Sequence, residues 1–316
     1  MTDSSLAARA VADDLLASKG RSFHWARRLL GACHADRATR LYGFCRRVDD
    51  LADETATPAA AMQCLSDLAS ALRQGTSDDP LTIDAITLFR ELPIDFCIPL
   101  ELIAGVASDL GRVRVANLAE LLRYCYRVAG TVGLMMNAAL DVTDRRGRAH
   151  AIDLGIAMQL TNLCRDVRED ALADRRYLPA SLVGDMEPDQ LVLPSAGDRK
   201  IICAAIGQLL DLADQYYISG EDGLVYLPRD ARASIAVAAR VYRAIGLKLR
   251  SRGCDYWTSR VVVSRTQKIS ASTGALLALG YHTSRRLPAR THSLDLHAPL
   301  AGLPGVELEA DALHGA

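Results

Sequence analysis

Apolar residues recur at helical spacing along almost the whole chain, and alternating strand patterns are scarce. Ala/Leu/Arg-rich segments at 5–17, 36–54, 58–74, 95–110, 117–141, 147–172, 197–218, 229–250 and 258–279 carry that period. Breakers fall between or beside them: Pro58, Asp78-Asp79-Pro80, Pro93, Pro99, Pro179, Pro188, Pro194 and Pro228. β-branched residues do not cluster between turn pairs, so hairpins are not expected. The pattern predicts an all-α fold, one large bundle of antiparallel helices. The chain has 316 residues, half of them hydrophobic, which is enough to bury a sizeable core. No composition shift marks a boundary, so residues 1–286 read as one domain. From 287 to 316, Pro, Gly, His and Asp interrupt the chain every few residues, and a loosely ordered tail is expected.

Two acidic stretches carry the chemistry. Each holds an Asp-x-x-x-Asp pair, Asp49/Asp53 and Asp166/Asp170, whose first members are 117 residues apart. On a helix, positions i and i+4 share a face with Cβ atoms about 5–6 Å apart, so each pair can aim two carboxylates at one point. Two such helices facing each other make an oxygen-only cleft. Mg²⁺ prefers that ligand set and usually shares a phosphate-bearing substrate with the protein. The same residues also fit a solvated helix face, with Arg165 and Arg168 pairing with Asp166 and Asp170. Both pairs adjoin apolar stretches, however, and a carboxylate bordering a buried face needs a counter-ion.

Charge and cysteine usage narrow the function classes. With 37 basic and 38 acidic residues, the chain lacks the basic excess of a nucleic-acid binder. Eight cysteines (33, 45, 64, 97, 125, 164, 203 and 254) form no Cys-x-x-Cys, which fits a reducing cytoplasm and argues against a disulfide scaffold or a zinc site. Residues 1–5 do not open a signal peptide, and no run of about 18 apolar residues spans a bilayer. A cytoplasmic protein is expected, one that a greasy substrate can still bring to a membrane surface. Histidine carries no signal: His24 reads as surface, and His292, His297 and His314 lie in the tail.

The segment 124–136 places Gly130 and Gly133 within a helical pattern. An interior helix glycine costs about 1 kcal/mol relative to Ala and needs a reason, either tight helix contact, a kink, or room for a ligand.

At the second acidic stretch a family resemblance becomes specific. Asn162-Leu163-Cys164-Arg165-Asp166-Val167-Arg168-Glu169-Asp170, followed by Arg175-Arg176-Tyr177-Leu178-Pro179, resembles the squalene/phytoene synthase family. Further pieces resemble it in order: Ser22-Phe23, Leu41–Arg46 leading into Asp49-Asp50-Leu51-Ala52-Asp53, Gly105–Leu110, Tyr124–Gly133 and Ala238–Gly246. The likeness covers roughly residues 15–270.

The resemblance implies an isoprenoid synthase fold with a central hydrophobic cavity. It implies two prenyl diphosphates joined head to head, through a cyclopropylcarbinyl diphosphate, with Mg²⁺ (or Mn²⁺) assisting ionisation. On that reading Asp49, Asp53, Asp166 and Asp170 are catalytic metal ligands, and Asn162, one turn before Asp166, adds an amide oxygen. Asp50 and Glu169 are alternate or supporting ligands. Arg46 and Arg165 are diphosphate clamps, since a guanidinium meets phosphate oxygens bidentately. Ser22, Phe23, Tyr42, Gln159, Tyr177 and Tyr242 contact substrate. Val128, Gly130, Val132, Gly133 and Met136 line the cavity, with the two glycines opening its wall.

The wording around Asp49–Asp53 is most similar to bacterial phytoene synthases. Two geranylgeranyl diphosphates giving phytoene are therefore expected, without NADPH. A dehydrosqualene or hopanoid-pathway enzyme using farnesyl diphosphate is the alternative. A non-catalytic assembly factor of the same fold would not need four convergent carboxylates. A head-to-tail prenyltransferase or terpene cyclase would not carry the Asn-x-x-x-Asp-x-x-x-Asp wording followed by Tyr177-Leu178-Pro179.

Overall fold

The computed structural model describes residues 26–285 and 291–306. The expected helix at 5–17, Ser22, Phe23 and His24 lie outside them. Thirteen α-helices occur among the described residues: α1 Ala32–Asp53, α2 Pro58–Gln74, α3 Pro80–Glu91, α4 Cys97–Ala107, α5 Leu118–Cys125, α6 Thr131–Ala139, α7 Arg146–Arg165, α8 Val167–Leu172, α9 Ala180–Val183, α10 Pro188–Val192, α11 Ala196–Asp222, α12 Arg229–Ser251 and α13 Arg265–Arg285. Two residue pairs form the only sheet among them, β1 Val113–Arg114 parallel to β2 Arg175–Arg176.

Several expected breakers act as starters. Pro58 and Pro80 stand at the first turns of α2 and α3, where the missing N–H costs nothing. Thr57 caps α2 by accepting from Ala60 N–H, and Asp79 caps α3 by accepting from Thr82 N–H. α2 stops at Gly75, whose φ of 71° needs a residue without a Cβ.

α7 runs through the centre and packs on α11, α6 and α12. α1 is tied to α3 by a buried ion pair, Arg40 Nε to both Asp84 oxygens at 3.0 Å. Phe44 of α1 meets Phe89 of α3 edge to face, with centroids 5.1 Å apart. These contacts fix the angle at which α1 faces α7.

Three local expectations are corrected. The segment 147–172 is not one helix: α7 ends at Arg165, and Asp166 adopts φ −102°, ψ 15° before α8 begins. The turn spacing survives, because Asp166 N–H donates to Asn162 O and Asp170 N–H to Asp166 O, both at 2.9 Å. The segment 117–141 is interrupted by a π-helical turn, Tyr126–Gly130. Finally, of the tail expected over 287–316, residues 291–306 are docked, and 287–290 and 307–316 lie outside the described residues. Arg123 donates to Pro299 O and Ala301 O, Tyr216 to Leu296 O and Tyr126 to Pro304 O, while Leu300 and Leu303 are buried.

Candidate active site

Four helices enclose a cavity of about 300 Å³. Each contributes one face at helical spacing: Ala38, Tyr42, Cys45 and Asp49 from α1; Val132, Met136 and Leu140 from α6 and its end; Leu154, Met158 and Asn162 from α7; Ser234, Ala238 and Tyr242 from α12. The walls are predominantly apolar. His150 and Asn162 both line the cavity and stand 12 residues apart on α7, about 18 Å at 1.5 Å per residue. Asp49, Gln159, Asn162, Tyr42 and Tyr242 gather at one end, and Asn137, Gly147, His150 and Tyr226 at the other.

Tight helix crossing explains the glycines. A Cβ on Gly133 would stand 2.1 Å from Ala151 O, and one on Gly155 would stand 2.3 Å from Ala129 O. The backbones of α6 and α7 therefore touch along a glycine-lined antiparallel crossing. Gly133 borders the cavity but exists for that contact, and Gly130 does not line the cavity at all. A Cβ there would meet Tyr126 and Ile152 at 3.0 and 3.3 Å. The expectation that these glycines open the wall is corrected. Val128, Val132 and Met136 line the cavity.

At the polar end the carboxylates crowd. Burial, together with the charges of Asp53, Asp50 and Asp109, pushes the Asp49 carboxyl up to about 7 despite Arg46 nearby. Burial and the charges of Asp166, Asp109 and Glu169 likewise push Asp170 up to about 7, against Arg175. Asp53 is exposed. Asp166 behaves oppositely. Burial would raise its carboxyl, but it is held below the usual range by Arg165 Nε at 2.7 Å and by a bidentate grip from Arg260, at 2.8 and 2.9 Å.

Asn162 Oδ1 is buried and has no hydrogen-bond partner among the described residues. An orphaned amide oxygen costs free energy unless something outside the chain meets it. Together with carboxylates whose mutual repulsion raises two of them, it fits an oxygen-ligated divalent cation such as Mg²⁺.

Other expected roles shift. Arg46 pairs with Asp50 one turn on, so in this structure Asp50 is the counter-ion of Arg46. Glu169 is exposed. Tyr177 does not offer a free hydroxyl: it donates to Asp109 Oδ1 at 2.5 Å, while Tyr124, stacked on it at 4.8 Å, donates to Oδ2 at 2.7 Å. Asp109, raised by burial, lies within electrostatic reach of Asp49, Asp53 and Asp170, and so links the two acidic pairs. Sequence reasoning gave no role to Asp109, Tyr124, Arg175 or Arg260. The first three sit inside stretches that carry the family resemblance, which was the available signal. Arg260 reaches Asp166 across 94 residues from the loop after α12, and no local pattern marks it.

Residues 16–267 match the squalene/phytoene synthase family. The chain belongs to that family. It is 34% identical to the phytoene synthase of Pseudescherichia vulneris over 82% of this chain and 88% of that protein. It is 32% identical to the 15-cis-phytoene synthase of Pantoea ananas over 92% and 96%. Among solved structures, a ligand-bound dehydrosqualene synthase superposes with a TM-score of 0.79 at 26% identity, covering 88% of this chain and 98% of that one. The all-α isoprenoid synthase fold expected from the resemblance is the fold found. Among the described residues, no helix is long and apolar enough to cross a membrane.

Proposed function

We propose that this protein joins two geranylgeranyl diphosphates head to head, giving phytoene through a cyclopropylcarbinyl diphosphate. The observation that carries the chemistry is the unpartnered Asn162 Oδ1 beside crowded carboxylates at one end of an apolar cavity. The substrate class is supported by likeness to phytoene synthases over most of the chain.

Asp49, Asp53, Asn162, Asp166 and Asp170 would hold Mg²⁺, or Mn²⁺ in its place. A cation bound there neutralises the charge that develops on departing diphosphate. The chain's own groups do the rest. Arg165 and Arg260, already converged on Asp166, turn their N–H groups to diphosphate oxygens, and Arg46 does so beside Asp50. Tyr42 and Tyr242, lining the cavity, keep their hydroxyls protonated because burial raises both. They can donate to diphosphate, and their rings can face an allylic cation. Gln159 adds an amide at the same end. Ser22 and Phe23 complete the substrate contacts in this reading. Tyr177 acts through Asp109, which it and Tyr124 hold in place. Val128, Val132 and Met136 keep water from the carbocations.

Two diphosphates and two protons leave in the overall reaction, so it needs no reductant and NADPH is not expected. The apolar product leaves more readily to lipid than to water, and peripheral membrane contact at a cytoplasmic location is part of this reading. The deciding experiment incubates purified protein with Mg²⁺ and either the C20 or the C15 diphosphate, with and without NADPH. The expected result is phytoene from the C20 substrate, faster turnover than with C15, and no effect of NADPH. Preferential release of dehydrosqualene from C15 would move the substrate assignment. Absence of any hydrocarbon from either would overturn the enzyme reading in favour of a non-catalytic relative.

A further inference from the structure

A second polar cluster adjoins the end of the cavity lined by His150 and Tyr226, about 18 Å along α7 from Asn162. Asp153 of α7 is fully buried. Its Oδ2 accepts from Ser219 Oγ at 2.5 Å and from His292 Nε2 at 2.8 Å, and its Oδ1 accepts from His297 Nε2 at 2.8 Å. Ser219 belongs to α11, and both histidines belong to the docked C-terminal segment. His150 completes the cluster. Its Nδ1 lies 2.7 Å from Ser219 O, its ring stacks on Tyr226 at 5.7 Å, and it meets the His292 ring edge-on at 5.4 Å. His150 and Tyr226 both line the cavity.

The chain of contacts is therefore continuous. The C-terminal segment holds Asp153, Asp153 holds Ser219, Ser219 holds His150, and His150 with Tyr226 lines the cavity. The same segment is bonded to the other wall. Arg123 grips Pro299 O and Ala301 O at 3.1 and 3.0 Å, and Tyr126 donates to Pro304 O. Tyr126 opens the π-helical turn, whose Val128 and Ala129 line the cavity. Such turns are rare and frequently sit at functional sites.

We propose that residues 291–306 are a strap, anchored by His292 and His297 on Asp153, that fixes the His150 end of the cavity and so sets which prenyl chain length fits. The proposal rests on the prenyl-cavity reading above. Asp153, His292 and His297 are positioning residues, since none of them lines the cavity. A buried carboxylate accepting three hydrogen bonds is satisfied, and breaking one leaves it partly unpaired in a dry site. The same three groups could ligate a divalent metal, but His297 Nδ1 is buried without a partner among the described residues. A metal-bound imidazole normally donates from that nitrogen to an acceptor, so hydrogen bonding fits better.

The test compares His297→Leu, His297→Gln and the milder His292→Ala in the full chain. Gln can donate an amide N–H to Asp153 where the imidazole did, and Leu cannot. Three readouts are taken: the C20-to-C15 ratio of kcat/KM, the melting temperature, and hydrogen exchange across 126–130 and 146–155. The ratio should fall roughly five- to tenfold in His297→Leu, the scale of one ordinary net hydrogen bond, mainly through KM for the C20 substrate. Exchange should quicken at both cavity walls, and His297→Gln should restore both readouts. If His297→Leu fails to fold, His292→Ala carries the test with a smaller shift in the same direction. An unchanged ratio with unchanged exchange in a folded variant would overturn the strap. So would a stoichiometric Zn²⁺ in the wild type that raises its melting temperature and is lost in His297→Gln. If the wild type makes no hydrocarbon, the functional reading has failed, and the exchange data still decide whether the strap exists.

Discussion

Gly133→Ala should destabilise the protein even though it removes a glycine from a helix. The new Cβ would stand 2.1 Å from Ala151 O, whereas ordinary contact begins near 3.4 Å. The obstacle is a backbone carbonyl, which cannot rotate aside as a side chain would. α6 must back away by the difference, about 1.3 Å. Replacing a helix glycine gains about 1 kcal/mol of propensity. Overpacking typically costs 1–3 kcal/mol, and a rigid obstacle puts this case at or above the upper end, so a net loss of about 2 kcal/mol is expected. Unfolding entropy near 2.1 cal/mol/K per residue gives roughly 0.7 kcal/mol/K for this chain, so the melting temperature should fall by about 3 °C. Turnover should fall too, because α6 carries Val132 and Met136 on the cavity wall, and a misplacement of about 1 Å can cost on the order of 10² in rate. Gly207→Ala in α11 is the built-in control. Nothing stands within 4 Å of its added Cβ. The same chemical change should there raise the melting temperature by about 1 °C with activity intact. Calorimetry and product formation on both variants decide the matter. A Gly133→Ala protein as stable and as active as wild type would refute the glycine-crossing argument.

Asp49 and Asp166 should respond to neutralisation with opposite signs. Asp49→Asn removes a charge that burial and neighbours disfavour, so it should stabilise the metal-free protein. Asp166→Asn strips Arg165 and Arg260 of their shared partner and should destabilise it. Both should lower turnover by roughly two orders of magnitude, the scale of losing a group that stabilises developing charge. Mg²⁺ affinity, followed by calorimetric titration, should rise with pH up to about 7 and then level off. Asp49 and Asp170 are raised to about 7 and must lose protons to bind a cation. For the same reason, the stability these two groups lend the metal-free protein is fully present below about 4, their unfolded range. It is lost as pH rises through 7, and unfolding curves in EDTA should show that decline. EDTA should abolish turnover and Mg²⁺ or Mn²⁺ should restore it, and steady turnover in a rigorously metal-free sample would remove the basis of the proposed mechanism.

Helical period, the proline starters and the two Asp-x-x-x-Asp pairs are local signals, and local signals are readable without a fold. Spacing alone puts Asp49 and Asp53 on one face, and puts Asn162 a turn before Asp166. The fold class followed from that level, and the family from the ordered motifs around the acidic pairs. What no local pattern holds is pairing at a distance. Arg260 takes Asp166 across 94 residues, and His297 takes Asp153 across 144. Asp109 gains its place between the acidic pairs only when α4, α5 and β2 bring Tyr124 and Tyr177 to it. Gly133 is the sharpest case. The sequence shows that a side chain is missing, but whether a ligand or a neighbouring backbone fills the space depends on how closely α7 approaches. That approach is set by the whole bundle's packing, and the tail's docking onto Asp153 is decided the same way, because burial is a property of assembled surfaces and not of a segment.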